Sequence, residues 1–96
     1  MTLTQLLEKV NFELLQGSTD IEISAIVNDS RKVKAGCVFP CIRGNAFDGH
    51  KFAAEVAAKG AAAIIAEERV EVPAGVTVVL VDNTRIAMAR MAAAWF

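Results

Sequence analysis

Cysteine, proline and histidine are scarce in this sequence, whose 96 residues include two cysteines, two prolines and a single histidine. A structural zinc site takes about four cysteine or histidine ligands, so the two cysteines and His50 do not suffice. If residues 37–42 form a strand, Cys37 and Cys41 share a face at a separation of about 13 Å. A disulfide requires Cα atoms within about 7 Å. We therefore expect two reduced thiols in the core and no metal site.

Long apolar runs and a strong net charge are also missing. Strictly apolar runs such as residues 61–66 are far shorter than the roughly 20 residues of a membrane span. The net charge is −1 with dispersed basic residues, which predicts no nucleic-acid partner. The N-terminus carries Glu8 and Lys9 within its apolar pattern and has no basic region of a signal peptide. The expected location is cytoplasmic, without a membrane partner.

The apolar content of 54% and the charged content of 22% predict one folded domain. Periodicity and turn residues predict the following elements. These are a helix near residues 3–10, strands over 12–15 and 21–27, a loop over 28–36, a strand over 37–42, a helix over 50–59, strands over 61–66 and 77–81, and a final helix over 84–96. Asp48 is the expected N-cap of the helix over 50–59, and Gly60 follows its C-terminal end.

The order of strand, helix and strand over residues 37–66 predicts a βαβ unit. Pro40 cannot donate a ladder hydrogen bond, so we expect a sheet edge, a bulge or a strand end there. Pro40 and the hairpin-like early strands favour a mixed sheet over a fully parallel one. The predicted fold class is α/β, with a small mixed β-sheet flanked by helices. Met88, Met91, Ala92 and Trp95 form the apolar stripe of the last helix, with Trp95 expected to be partly exposed.

The stretch GNAFDGHK, residues 44–51, has the two-glycine spacing of a phosphate-binding P-loop. Such a loop requires Lys followed by Ser or Thr, whereas His50 and Lys51 stand here, and Asp48 adds a negative charge. The residues thus disfavour ATP binding. They leave open a plain strand-to-helix connection capped by Asp48, or a different ligand loop at the position where α/β proteins receive ligands.

The stretch Asn28-Asp29-Ser30-Arg31 is the second candidate site. Its side chains can bond nearby backbone in a turn, or Asn28 and Ser30 can face a ligand while Arg31 offers a charged fork. His50 has no catalytic partner at a recognised spacing, so we predict a surface residue at the start of a helix. The acidic group around residues 67–71 is predicted to be a solvated loop. We therefore predict binding without catalysis.

Three stretches, NDSRKVKAGCVF at residues 28–39, IRG at 42–44 and FDGHKF at 47–52, fit the pattern D-S-R-x-V-x-x-G-x-x-F … G-x-x-x-D-G-x-x-F. Taken together, they resemble the N-terminal domain of the Mur ligases, most closely the MurE branch. The resemblance implies that residues 1–96 form an N-terminal domain for a UDP substrate, whose parent protein is an ATP-dependent amide ligase of peptidoglycan synthesis. That enzyme adds the third peptide residue to UDP-N-acetylmuramoyl-L-Ala-D-Glu.

The resemblance also assigns roles to residues. Asn28, Ser30, Asn45, Ala46 and Phe47 would bind the UDP end, with support from Asp29, Arg31, Asp48 and Gly49. Catalytic residues, ATP and Mg would belong to central and C-terminal domains beyond residue 96, so the present chain is expected to be inactive.

The sequence departs from the family pattern at two positions, where Cys37 replaces an acidic residue and Pro40 interrupts a strand. The end at Ala-Trp-Phe, within a helix that lacks a C-cap signal, suggests a domain excised from a longer protein. Two alternatives stay open: the same domain of MurF, which adds D-Ala-D-Ala, and a stand-alone nucleotide-sugar or partner-binding module.

Overall fold

A computed structural model describes residues 1–44 and 48–95 of the chain. Its elements are α1 (Leu3–Leu6), β1 (Glu13–Gln16), a 3-10 helix (Ser30–Lys32), β2 (Val38–Pro40), a second 3-10 helix (Gly49–Phe52), α2 (Ala53–Ala58), β3 (Ala63–Ala66), β4 (Thr77–Leu80) and α3 (Thr84–Trp95). The four strands form one sheet in the order β1-β4-β3-β2. β1 pairs antiparallel with β4, whereas β2–β3 and β3–β4 are parallel. The predicted mixed sheet is confirmed.

Alternation along the strands divides the core into two layers. On one face, Val38, Ala63, Ile65 and Val79 join the buried residues of α1 and α3, including the fully buried Met91. On the other face, the core consists of buried residues from β2, β3, α2 and the adjoining loops, namely Cys37, Phe39, Cys41, Ala53, Val56, Ala61, Ile64, Ala66 and Val76. Successive strand residues point to opposite faces, so near-continuous apolar strands supply both layers.

The predicted boundary residues Asp48 and Gly60 are confirmed, whereas α1 ends at Leu6 and is shorter than the helix predicted near residues 3–10. Thr2 forms a capping box with Gln5 at the start of α1, and the Asp48 side chain accepts a hydrogen bond from the His50 N–H. Asn83 Oδ1 accepts from the Ile86 N–H at the start of α3. Gly60 follows α2 with a φ of +107°, a conformation that favours glycine. The helix predicted from residue 50 begins instead as the 3-10 turn Gly49–Phe52.

The strand predicted over residues 21–27 is wrong as a regular element. Its first half bonds to the N-terminus, through the Leu3 N–H to the Ile21 carbonyl. Its second half bonds to β2, where the Val27 N–H donates to the Val38 carbonyl. The backbone changes partners midway, so only isolated bridges form. Alternating apolar residues indicate an extended segment with one buried face. They do not indicate that the segment pairs with one neighbouring strand along its whole length.

Pro40 is the last residue of β2, and the next ladder hydrogen bond is donated by the Cys41 N–H to the Ile65 carbonyl. The expectation of a sheet edge or strand end is therefore confirmed, because β2 is the last strand in the sheet order and Pro40 is its last residue, a position that tolerates a residue without an N–H. Cys37 and Cys41 are free and buried, as expected. Trp95 is half-buried against the α1–α3 layer, in agreement with its predicted partial exposure. Within the described residues, no helix has the length and apolar character needed to cross a membrane.

Candidate functional site

The turn at residues 28–31 is held by its own charged pair. The Asp29 carboxylate accepts from the Arg31 backbone N–H at 2.9 Å and from the Arg31 guanidinium at two distances of 3.1 Å. The hydrogen bond from the Arg31 side chain is the main reason that the pKa of Asp29 falls to about 2. The Arg31 guanidinium therefore binds the Asp29 carboxylate. The sequence had suggested instead that this guanidinium would be available to a ligand.

An open groove of about 690 Å³ lies against this turn. Its described lining residues are Asn28, Asp29, Ser30, Arg31, Phe52 and Glu55. Asn28 is exposed and Ser30 is buried, and the Ser30 carbonyl accepts a hydrogen bond from Lys59 Nζ at 3.0 Å. The groove thus joins the turn to the second 3-10 helix and to α2, which lie some twenty residues further along the chain.

The second predicted loop is closed at its base by described residues. Arg43 and Asp48 form an antiparallel bridge, and Arg43 Nε lies 3.3 Å from Asp48 Oδ2. The Gly49 N–H donates to the Ile42 carbonyl at 2.8 Å. The predicted contact residues Asn45, Ala46 and Phe47 lie outside the described residues, so their assignment stays a prediction.

Gly49 is required by a close approach of the backbone. A Cβ atom at this position would lie 2.8 Å from Ile42 N and 3.0 Å from Cys41 Cα. Neither of these backbone atoms can give way as the end of a side chain would. Glycine is therefore required after Asp48 because the backbone at Gly49, which leaves the loop, packs directly against the backbone of Cys41 and Ile42, which enters it.

His50 is buried, so its interpretation as a surface residue was wrong. Its Nδ1 atom lies 2.7 Å from Asp48 Oδ1, and its Nε2 accepts from the Glu67 backbone N–H at 2.9 Å. The backbone hydrogen bond from His50, followed by contributions from the His50 ring and Arg43, lowers the pKa of Asp48 to about 2. Sequence spacing missed this site because Glu67 comes from the end of β3, 17 residues away.

Glu67 also departs from the expected solvated loop. Its carboxylate accepts from the Thr84 N–H at 2.8 Å and from the Thr84 hydroxyl at 3.1 Å, at the start of α3. Its other oxygen lies 3.3 Å from the Arg43 guanidinium. Glu68 is also paired with Arg43, at 2.9 Å. The acidic group therefore connects the base of the second loop to β3 and, through Glu67, to α3.

The geometry of residues 48–51 decides against a phosphate cradle. A P-loop presents unpaired backbone N–H groups to phosphate oxygens. Here the N–H groups of Gly49, His50 and Lys51 donate to the Ile42 carbonyl, the Asp48 side chain and the Asp48 carbonyl, respectively. Three consecutive donors are already used, and an ionised carboxylate stands beside them. The described residues 48–51 therefore do not form a phosphate cradle for ATP.

Asp48, His50 and Glu68 place one potential metal-ligand atom each within 4.8 Å of one another. Both ring nitrogens of His50 already have partners, namely Asp48 and the Glu67 N–H. The Glu68 carboxylate is paired with Arg43. The arrangement is therefore a hydrogen-bonded cluster in which the ring offers no free nitrogen to a metal ion.

Comparison with known proteins shows which family shares these features. A family model described as "Mur ligase family, catalytic domain" matches residues 22–96. A ligase from Listeria monocytogenes, UDP-N-acetylmuramoyl-L-alanyl-D-glutamate–2,6-diaminopimelate ligase, is 45% identical over 92 residues, covering 96% of this chain and 18% of the relative. The protein of the same name from Bacillus licheniformis is 43% identical over 97 residues, covering 100% and 20%.

A crystal structure of MurF from Acinetobacter baumannii superimposes with a TM-score of 0.75 and 30% identity, covering 97% of this chain and 20% of that one. The chain therefore spans about a fifth of the length of the relatives it matches. The sequence relatives confirm the predicted resemblance to the MurE branch, and the structural neighbour confirms the predicted fold class. With a family model that covers three quarters of its residues, this chain belongs to the Mur ligase family.

Proposed function

We propose that residues 1–96 act as the N-terminal substrate-binding domain of a MurE-type ligase and bind the UDP end of UDP-N-acetylmuramoyl-L-Ala-D-Glu. The observation that carries the proposal is the convergence of two family motifs on one groove. Asn28 and Ser30 come from the first motif and Phe52 from the second, and all three line the same opening. A groove with a few polar groups beside an aromatic ring suits a nucleoside.

The parent protein is proposed to be an ATP-dependent amide ligase of peptidoglycan synthesis that works in the cytoplasm. The diaminopimelate ligases among the relatives support diaminopimelate as the third residue added. ATP and Mg are assigned to other domains of the parent, because residues 48–51 do not offer a phosphate cradle. This chain alone is therefore proposed to be inactive as an ATPase and as a ligase.

The MurF alternative is supported by the likeness to the solved MurF structures. The two ligases are separated by the residue they add, so a full-length parent should be assayed with diaminopimelate and with D-Ala-D-Ala. The gene sequence after codon 96 tests the third alternative. A G-x-x-G-T-N-G-K-T segment there supports a ligase, and its absence supports a stand-alone module.

Binding is tested by titrating the ¹⁵N-labelled chain with UDP, with CDP and with ATP. Shifts caused by UDP should cluster at residues 28–31 and 44–52, and CDP should bind more weakly because the donors and acceptors of its base differ. Ser30→Ala and Asn28→Ala should each weaken UDP binding by about 1 kcal/mol. Asn11→Ala alters an exposed asparagine that does not line this groove, and it should have no effect.

Shifts centred on residues 67–71, or none at millimolar UDP, would contradict the assigned site. Equal affinity for UDP and CDP would remove the argument for recognition of the base. ATP that shifts residues 44–51 more strongly than UDP would restore the phosphate-loop interpretation.

A further inference from the structure

His50 is the only histidine of the chain, and 3% of its side chain is exposed. It is the second residue of the 3-10 helix Gly49–Phe52. One ring nitrogen faces a carboxylate, Asp48 Oδ1, and the other faces a backbone N–H, that of Glu67. Because each ring nitrogen has a defined partner, the orientation of the buried ring is fixed, and so is the nitrogen that carries its proton.

The two partners determine the tautomer. A backbone N–H can only donate, so Nε2 of His50 must be unprotonated to accept from Glu67. The carboxylate of Asp48 is ionised at neutral pH and can only accept, so Nδ1 must carry the hydrogen. The geometry therefore specifies a neutral imidazole with its proton on Nδ1.

The ring joins two parts of the chain that sequence separates. On the Asp48 side, the carboxylate caps the helix Gly49–Phe52 and pairs with Arg43, which precedes the loop. On the Glu67 side, the chain has just left β3, and the Glu67 carboxylate holds the first residue of α3, Thr84. The short helix that brings Phe52 to the groove is thus attached through His50 to the sheet.

We propose that His50, as the neutral Nδ1–H tautomer between Asp48 and the Glu67 backbone, is a positioning residue that fixes the 3-10 helix and Phe52 for binding of a uridine nucleotide. This role rests on the proposed function of the groove. His50 itself is not among the residues that line the groove, so it acts through Asp48 and Phe52.

The first test is spectroscopic and needs no ligand. Because the chain has one histidine, a long-range ¹H–¹⁵N correlation spectrum of the labelled chain contains a single ring. At neutral pH we expect a protonated Nδ1 and an unprotonated Nε2. A ring with its proton on Nε2, or one that exchanges rapidly between tautomers, would overturn the proposal regardless of UDP binding.

The second test compares substitutions in the UDP titration. His50→Phe keeps a ring and removes both hydrogen bonds, leaving the Glu67 N–H without its acceptor, so UDP should bind about tenfold more weakly. His50→Gln offers an amide donor and an acceptor, and it should bind within about threefold of the wild type. Val10→Ala is the stability control, because it removes core volume on the α1–α3 layer and should leave UDP affinity unchanged.

The outcomes separate the two proposals. A wild-type chain that shows the Nδ1–H tautomer but does not bind UDP overturns the proposed function and the role of His50 in affinity, while the ring geometry stands. If the wild-type chain and His50→Phe bind UDP equally tightly, the positioning role alone is overturned. If Val10→Ala weakens UDP binding as much as His50→Phe does, the effect is one of general stability and the proposal fails.

Discussion

Lys59 Nζ donates a hydrogen bond to the Ser30 carbonyl at 3.0 Å, across 29 residues of sequence. The same ammonium lies 3.1 Å from the Glu55 carboxylate. This contact ties the C-terminal end of α2 to the first turn of the groove, and it satisfies a carbonyl at the start of the 3-10 helix Ser30–Lys32. The sequence predicts only that Lys59 lies at the end of a helix. In the structure, its side chain also stabilises the turn at residues 28–31 that is proposed to bind the ligand.

Replacing Lys59 by methionine should lower the free energy of unfolding by about 1 kcal/mol, because a charge-assisted hydrogen bond is lost at a half-exposed position. Amide resonances of residues 28–31 should shift in the same variant. Lys51→Met is the matched control, since Lys51 is exposed, and it should change stability by less than about 0.5 kcal/mol. Urea unfolding measures both variants, and equal losses would contradict a specific role for Lys59.

Gly49→Ala should destabilise the chain by about 2 kcal/mol, because the added methyl group meets backbone atoms of Cys41 and Ile42 and forces the two segments apart. Gly75→Ala is the control, since no atom of the described residues lies within 4 Å of its added Cβ. That variant should be neutral or slightly more stable, as the unfolded chain loses freedom. Urea midpoints compare the two, and a Gly49→Ala midpoint equal to the wild type would refute the close-approach argument.

Acid should selectively remove the contribution of Asp48. Its pKa is lowered to about 2 in the folded chain, so its stabilising effect is complete above the unfolded value of about 4 and is lost as the pH falls towards about 2. Asp48→Asn should be less stable than the wild type at about pH 6, and the difference should shrink between about pH 4 and about pH 2. Urea midpoints at a series of pH values follow this difference.

Asp20→Asn is the control for the acid series, because Asp20 is exposed and its carboxylate has no partner within the described residues. A substitution at such an exposed position should change the urea midpoint at about pH 6 far less than Asp48→Asn does. A constant difference for Asp48→Asn over the pH series would show that its hydrogen bonds with His50 and Arg43 do not contribute to stability in solution.

Both thiols should be protected in the native chain. Burial raises the pKa of Cys37, and it raises the pKa of Cys41 to about 12, so little thiolate is present at neutral pH. An aromatic disulfide reagent should label neither cysteine in buffer and both in denaturant. Rapid labelling of one cysteine under native conditions would mean that the layer around α2 opens locally.

Elements that depend on nearby residues could be predicted from the sequence alone, and so could the family. Asp48 and Gly60 mark helix boundaries because a cap uses the backbone of its own turn. Pro40 marks a strand end because the missing N–H is a property of the residue. The Asp-Ser-Arg and Asp-Gly motifs identified the two candidate binding segments because each is contiguous in sequence.

How the segments are held together depends on tertiary contacts that the sequence pattern does not reveal. The segment at residues 21–27 divides its hydrogen bonds between the N-terminus and β2, and no local pattern records a change of partner. His50 becomes buried because the end of β3 brings the Glu67 N–H to its ring, whereas its neighbours in sequence read as a helix start on the surface. Contacts across 17 or 29 residues depend on the path of the chain through the sheet, and side-chain periodicity carries no information about that path.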